Sequence, residues 1–153
     1  MLVGIISDTH GLLRPEAVAA LAGVEHILHA GDVGDVRILD TLREIASVTA
    51  IRGNVDCRGE CAELPATDAV ELGGKLFYLV HSVGDLDINP VVAGVAAVVS
   101  GHSHKASIEV RNGVMYLNPG SAGPRRFNLP VTVALMTVGV AGVEAKIMPI
   151  LNG

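Results

Sequence analysis

Five short apolar runs in this chain each end in a group that can bind a metal ion. The runs and the residues after them are Leu2–Ile6 before Ser7-Asp8-Thr9-His10, His26–Ala30 before Gly31-Asp32, Ser47–Ile51 before Arg52-Gly53-Asn54, Leu76–Val80 before His81, and Val95–Val99 before Ser100-Gly101-His102-Ser103-His104. In open α/β sheets, ligands bind beyond the carboxyl ends of the strands. If these runs are strands that end at one crevice, carboxylate, amide and imidazole groups meet there, and such a set suits a divalent metal.

Helical patterns separate the first three runs. Pro15 can open a helix that Gly23 ends, and Asp35 can cap a second helix that reaches about Ala46. A strand–helix–strand–helix–strand order predicts parallel strands with right-handed crossovers.

The second half of the chain has hairpin signals instead. Gly73-Gly74 and Asn112-Gly113 each separate two strand-like segments, and two more strands are predicted at 129–137 and 142–150. We expect this half to be largely antiparallel. The predicted fold is therefore α/β, with two mixed β-sheets packed face to face as a β-sandwich and helices outside them.

Composition sets the class of protein. The 153 residues are most simply one domain, 1–153, and the core is aliphatic because 50% of the residues are hydrophobic but only 3% aromatic. The longest uncharged apolar run, Val91–Val99, is about half the ~20 residues that a membrane-spanning helix needs. The first residues lack a basic segment, so we expect a cytoplasmic protein rather than a secreted or membrane one.

Charge and hydrophobicity bear on the partners. The net charge is −5 without a block of like charges, so no stripe for nucleic acid is visible. The surplus of apolar residues is compatible with a homo-oligomer, because a second copy could cover apolar patches.

The order of the polar motifs is more specific than any one of them. It runs Asp8-x-His10, Gly31-Asp32-x-x-Asp35, Gly53-Asn54-x-Asp56, His81 and Gly101-His102-x-His104. With Asn118-Pro119-Gly120-Ser121 and Pro124-Arg125, this order resembles the calcineurin-like metallophosphoesterase superfamily. Within it, the chain is similar to the small single-domain phosphodiesterases of bacteria and archaea, over nearly its whole length.

The resemblance implies a role for each motif residue. Asp8, His10 and His104 would hold one divalent ion, Asn54, His81 and His102 a second, and Asp32 would bridge the two. The implied reaction is hydrolysis of a small phosphodiester substrate by a hydroxide that bridges the metals. Mn²⁺ is the expected ion, with Ni²⁺, Fe²⁺ or Zn²⁺ as alternatives. The predicted catalytic residues are Asp32, Asn54, His81 and Asp56, and the predicted substrate contacts are Asn54 and Arg58.

Several residues keep two interpretations at this stage. Asp56 could orient a ligand histidine or shape a turn, and Asp35 could cap a helix or face the site. His29 could lie in the core or point to the site. Arg58, Arg14 or Arg125 could orient the phosphate or be solvated. Gly31, Gly53 and Gly101 are expected to permit tight backbone turns before their ligands.

Val55 departs from the pattern of the superfamily. Many members have a histidine after the Gly-Asn pair, and it is thought to contact the phosphate or assist the leaving group. With Val55, every motif histidine is assigned to a metal and none remains as a general acid. A rival interpretation is a non-catalytic metal-binding scaffold of the same fold, as in the related subunit of the retromer coat.

Overall fold

The computed structural model describes residues 1–151 as ten strands, three α-helices and two short 3₁₀ helices. The strands are β1 (Leu2–Ile6), β2 (His26–His29), β3 (Ser47–Ala50), β4 (Thr67–Leu72), β5 (Lys75–Val80), β6 (Val95–Val99), β7 (Ser107–Arg111), β8 (Val114–Asn118), β9 (Thr132–Gly139) and β10 (Gly142–Pro149). The helices are α1 (Pro15–Ala20), α2 (Val36–Arg43) and α3 (Pro90–Ala93), with 3₁₀ turns at Gly59–Glu63 and Val83–Asp85.

Two five-stranded mixed sheets form the framework, as the sequence predicts. The first has the order β10-β9-β1-β2-β3 and the second has the order β4-β5-β6-β8-β7. In the first sheet, β1 pairs in parallel with β2 and β2 with β3, while β9 returns antiparallel to β1. Both predicted hairpins form, as β4–β5 and β7–β8.

The expectation of a largely antiparallel second half holds for its three antiparallel pairs but not for the centre of the second sheet. At the centre of the second sheet, β6 pairs in parallel with both β5 and β8. The helix α3 carries the chain from β5 back to the start of β6, and this crossover is what parallel pairing requires. Because of it, β5 and β6 end at the same edge of their sheet.

Apolar side chains fill three layers. The largest cluster lies between the two sheets and includes Ile5, Leu28, Phe77, Val99 and Met136. A second cluster joins the outer face of the first sheet to α1 and α2, and a third lies on the outer face of the second sheet. The first sheet therefore packs against apolar side chains on both of its faces, which holds its strand ends in place.

Local signals place the helices where the sequence predicts them. Pro15 is the first residue of α1, and Asp35 caps α2 by accepting a hydrogen bond from the N–H of Arg37 at 3.0 Å. This contact resolves the choice for Asp35 in favour of the cap. None of the helices within residues 1–151 combines the length and the apolar character that a membrane crossing needs.

Candidate metal centre

The carboxyl ends of β1, β2, β3, β5 and β6 meet at one edge of the sandwich. The loops that follow these strands carry all seven residues predicted as metal ligands, and six of them form two groups by distance: Asp8 with His10 and His104, and Asp32 with His81 and His102. The seventh, Asn54, joins the second group, because its Oδ1 lies 3.3 Å from Nδ1 of His102. The predicted residues therefore converge.

The first group has the dimensions of a metal site. Nε2 of His10 and Nε2 of His104 are 3.3 Å apart, and they lie 3.7 and 3.5 Å from Oδ1 of Asp8. Three atoms at these separations share a centre about 2 Å from each, which is the length of a bond from a divalent metal to nitrogen or oxygen. In the described residues, Oδ1 of Asp8 and Nδ1 of His104 are buried without a hydrogen-bond partner. A cation at this centre would satisfy the carboxylate oxygen.

Asp32 links the two groups. Its Oδ2 lies 3.1 Å from Nε2 of His81 and 3.5 Å from Nε2 of His10, while its Oδ1 accepts a hydrogen bond from the N–H of Val55 at 3.0 Å. Burial by itself would raise the pKa of Asp32, but His81 and the Val55 N–H outweigh it and lower that pKa to about 2. Asp32 is thus a carboxylate at neutral pH and lies where a bridging ligand would.

Hydrogen bonds fix which nitrogen of His81 faces the centre. Its Nδ1 lies 2.8 Å from the carbonyl oxygen of Ala30, to which it donates, so Nε2 points toward Asp32. Nε2 is buried and lacks a hydrogen-bond partner within residues 1–151. A second interaction that sets the tautomer and the orientation of the ring is typical of metal-binding histidines.

The pKa shifts of Asp8, His10 and His104 are compatible with cation binding, whereas Asp32 raises the pKa of His81 against the lowering effect of burial. Burial raises the pKa of Asp8, against the lowering effect of the Ser7 hydroxyl, so this carboxylate lacks a full counter-charge in the protein itself. Burial lowers the pKa of His10 and His104, and the positive charge of Arg126 adds to that shift. Both imidazoles are therefore favoured in the neutral form, which is the form that binds metal.

Backbone strain is concentrated at the same place. Five of the candidate ligands adopt left-handed backbone conformations, with φ angles between 47° and 72°: Asp8, His10, Asp32, His102 and His104. Each such residue costs of the order of 1 kcal/mol, and strained residues cluster at functional sites where the surrounding structure holds them. The sequence gives no signal for this strain.

Two of the three glycines before the ligands act differently from expectation. Only Gly31 has a positive φ angle, of 104°. Gly53 and Gly101 are needed for space, because a Cβ on Gly53 would overlap the Asp32 carboxylate and a Cβ on Gly101 would overlap the Ser7 hydroxyl. The expectation of permissive turns was therefore wrong for Gly53 and Gly101.

Replacing Gly53 with alanine is expected to reduce metal-dependent turnover by about a hundredfold while leaving every ligand in the sequence. The added Cβ would displace Asp32, and displacements of about 1 Å have effects of this size. Gly139→Ala is the control, because a Cβ there would meet its nearest atom at 3.8 Å. Kinetics and circular dichroism of both variants test the prediction, and equal activity of the two would contradict it.

Asp56 and His29 support the site from behind. The carboxylate of Asp56 accepts hydrogen bonds from the N–H groups of Val33, Gly34 and Gly53, so it ties the loop after β2 to the loop after β3. Both of its oxygens are used by backbone donors. These contacts favour a positioning role for Asp56, in which it orients the loops that carry Asp32 and Asn54, over the predicted catalytic role.

His29 is held as a neutral imidazole. The Thr9 hydroxyl donates to the carbonyl of Val33, so it must accept from Nε2–H of His29, whose Nδ1 accepts the N–H of Gly31 at 3.1 Å. Protonation would place a hydrogen on both ring nitrogens and break the second bond. Burial accordingly lowers the pKa of His29 to about 4. This network supports the structural interpretation of His29, and it fixes residues next to Asp8, His10 and Asp32.

Stability should depend on pH through His29. Because its pKa falls from 6.5 in the unfolded chain to about 4 in the fold, the unfolded state binds the proton first, and stability is lost as pH falls from 6.5 toward 4. The loss at pH 4.5 is about 2.5 kcal/mol. Urea unfolding of metal-free protein at pH 7 and 4.5 should show a smaller loss for His29→Gln than for wild type. His26 is half-buried and serves as a control: His26→Gln should change the pH-dependent loss of stability less than His29→Gln does. Equal losses of stability in all three proteins would refute the prediction.

The arginines considered for orienting the phosphate differ in their surroundings. Arg14 donates from Nε to the carbonyl of Gly123 at 3.3 Å, and Arg58 and Arg125 are exposed. Arg126, which sequence reasoning missed, is the arginine whose charge acts on His10 and His104. The doubled arginine after Pro124 was the available signal.

Two late residues also hold the ligand loops. The Ser121 hydroxyl donates to the carbonyl of Asp8 at 3.0 Å, and the side-chain amide of Asn118 donates to the carbonyl of Gly101 at 3.0 Å. The Asn-Pro-Gly-Ser segment therefore braces the loops after β1 and β6.

Comparison with known families decides the assignment. The model of the calcineurin-like phosphoesterase superfamily domain matches residues 1–140. The chain belongs to this superfamily. Membership supports a phosphoester hydrolase, and with the two residue groups it supports binding of divalent metal.

A sequence relative gives the same family, and two solved structures give the same fold. The protein named probable metallophosphoesterase from Methanocaldococcus jannaschii is 35% identical, over 98% of this chain and 82% of its own. A structure described as a novel archaeal phosphodiesterase superposes with a TM-score of 0.74 at 22% identity, over 97% of this chain and all of that one. Vacuolar protein sorting 29 (Vps29) from Entamoeba histolytica, solved with Zn²⁺, has a TM-score of 0.74 at 21% identity, over 99% of this chain and 100% of its own. At these identities the two structures show the fold alone.

Proposed function

We propose that this superfamily member is a phosphodiesterase that uses two divalent ions to hydrolyse small phosphodiesters. The observation that carries the proposal is the position of Asp32, whose Oδ2 lies within 3.5 Å of a nitrogen from each group of ligands. Two cations a few ångströms apart repel each other, and a shared carboxylate reduces that repulsion. One structural relative is described as an archaeal phosphodiesterase.

The seven ligand residues would be divided between two ions. Asp8, His10 and His104 would hold one ion, Asn54, His81 and His102 the other, and Asp32 both. Asn54 adds a neutral oxygen, so the second ion keeps more of its positive charge for the substrate. When bound, the ions would activate water and neutralise charge on the phosphate oxygens.

The position of each ligand suits this division. Asp8 is fixed by the Ser7 hydroxyl and by the N–H of His102, both bonded to its Oδ2, which leaves Oδ1 for the cation. Asn54 and His102 are exposed, so they lie at the mouth of the site where a substrate would enter. Ions held on the buried side by Asp8 and His81 would thus face a phosphate arriving from solvent.

Hydrolysis of bis(4-nitrophenyl) phosphate with added Mn²⁺ tests the proposal. We expect metal-dependent turnover that Asp8→Ala and His102→Ala each abolish, because each removes a ligand from a different ion. Asp40→Ala and His26→Ala are matched controls outside the site and should keep the wild-type rate. If wild-type protein shows no turnover with any of Mn²⁺, Ni²⁺, Fe²⁺ and Zn²⁺, the proposed enzymatic activity is refuted.

A second candidate is a metal-binding scaffold without turnover. The similarity of fold to Vps29 and the valine at position 55 favour it. If the protein is such a scaffold, we expect the wild-type protein to take up metal but to hydrolyse no diester. Metal analysis alongside the assay above therefore separates the two functions.

A further inference from the structure

A groove of about 640 Å³ opens directly onto the second group of ligands. Asn54, His81 and His102 are part of its lining. If these residues hold an ion that binds phosphate, as proposed above, the groove offers a place for one ester arm of the substrate. The rest of the lining then bears on which arm is accepted.

The lining also carries two carboxylates, Asp85 and Asp87. They follow His81 by four and six residues, and the 3₁₀ turn Val83–Asp85 fixes their place relative to it. The Tyr78 hydroxyl donates to Oδ1 of Asp87 at 2.6 Å, which orients that carboxylate. The groove thus holds two negative charges on the segment that follows His81.

The remaining lining does not cancel this charge. Arg52 is the one cation among the residues that form the groove, and its Nη1 donates to the carbonyl of Leu64 at 2.6 Å. Apart from the proposed ion and the histidines, the lining has one net negative charge. Thr67 and Ser82 add hydroxyl groups, and no Phe, Tyr or Trp lines the groove, so it offers no stacking surface for a nucleobase.

We infer that this groove selects phosphodiesters in which one arm is a short alcohol with a primary ammonium group. Carboxylates and hydroxyls can accept its N–H groups, and its positive charge complements Asp85 and Asp87. The opposite end of the site differs, because Arg126 puts positive charge near His10 and His104. A zwitterionic diester with its ammonium arm in the groove therefore places its positive charge near Asp85 and Asp87 and its negative phosphate toward the end that Arg126 makes positive.

A pair of isosteric substrates tests the inference. We expect 4-nitrophenyl 2-aminoethyl phosphate to be hydrolysed with a kcat/KM about tenfold above that of 4-nitrophenyl propyl phosphate, in which a methyl group replaces the ammonium. This size corresponds to two charge contacts near the protein surface at low ionic strength. The ratio should fall with added salt and approach one in the Asp85→Asn/Asp87→Asn variant, but not in the control Asp40→Asn.

The outcomes separate this inference from the proposed function. Equal kcat/KM for the two diesters, or equal loss of both rates in the double variant, would overturn the groove's role and leave the phosphodiesterase intact. If wild-type protein hydrolyses neither diester, the phosphodiesterase fails, and calorimetry with the metal-loaded protein still decides the groove. There, 2-aminoethyl phosphate should bind about tenfold more tightly than propyl phosphate, and equal affinities would overturn the inference.

Discussion

The Asp32→Asn variant is expected to lose about a thousandfold in hydrolysis of bis(4-nitrophenyl) phosphate. The substitution keeps the shape of the side chain and an oxygen for the N–H of Val55, but it removes the charge shared by the two ligand groups. Without that charge, the two proposed ions would bind weakly and would neutralise less charge in the transition state. Steady-state kinetics over a range of Mn²⁺ concentrations measures the loss.

Thermal unfolding gives this prediction a second readout. For wild type, Mn²⁺ at a hundred times its Kd should add about 2.7 kcal/mol of stability and raise the Tm by roughly 5–10 °C. Asp32→Asn should show little change, while Asp40→Asn, an exposed aspartate on α2, should match wild type. A variant that keeps both the Tm gain and the rate would show that Asp32 is not a shared ligand.

The second large effect is a steep dependence on the leaving group. Val55 is 42% exposed at the position where many superfamily members have a histidine. Since the four motif histidines are assigned to metals, departing alcohols must leave without a dedicated proton donor, and general acid catalysis is worth about 10²- to 10⁴-fold. Aryl diesters should therefore be hydrolysed at least a hundredfold faster than alkyl diesters.

Adding the missing histidine tests the physical reason. Val55→His should raise the rate on an alkyl diester at least tenfold and change the rate on bis(4-nitrophenyl) phosphate much less, because a nitrophenolate leaves without protonation. Val55→Ala controls for the loss of the valine side chain. Equal rates of wild-type protein on aryl and alkyl diesters would refute the explanation.

Much of the fold was accessible from local signals. The helix starts at Pro15 and Asp35, the hairpins at Gly73-Gly74 and Asn112-Gly113, and the two-sheet sandwich are all present. The strand order was harder, because hairpin signals report only neighbours in sequence. The parallel pairs of β6 with β5 and β8 depend on contacts between distant segments, which local patterns do not encode.

The site divides in the same way. The motif residues could be named because their order is specific, and the structure brings them together. The residues that support them could not be named, because the hydrogen bonds of Thr9 and Ser121 and those of Asp56 with Val33 and Gly34 join segments 20 or more residues apart. Gly53 shows most clearly what the sequence cannot predict. A tight turn and a close approach of another side chain both require glycine, but substitution has a different consequence in each case.

Metal stoichiometry tests the central claim most directly. Inductively coupled plasma mass spectrometry of wild-type protein equilibrated with Mn²⁺ and freed of excess ion should give about two equivalents per chain. His104→Ala and His102→Ala should each lower the value toward one, because each histidine belongs to a different group. Wild-type protein that retains no metal, or a value that neither substitution changes, would contradict a two-ion centre joined by Asp32.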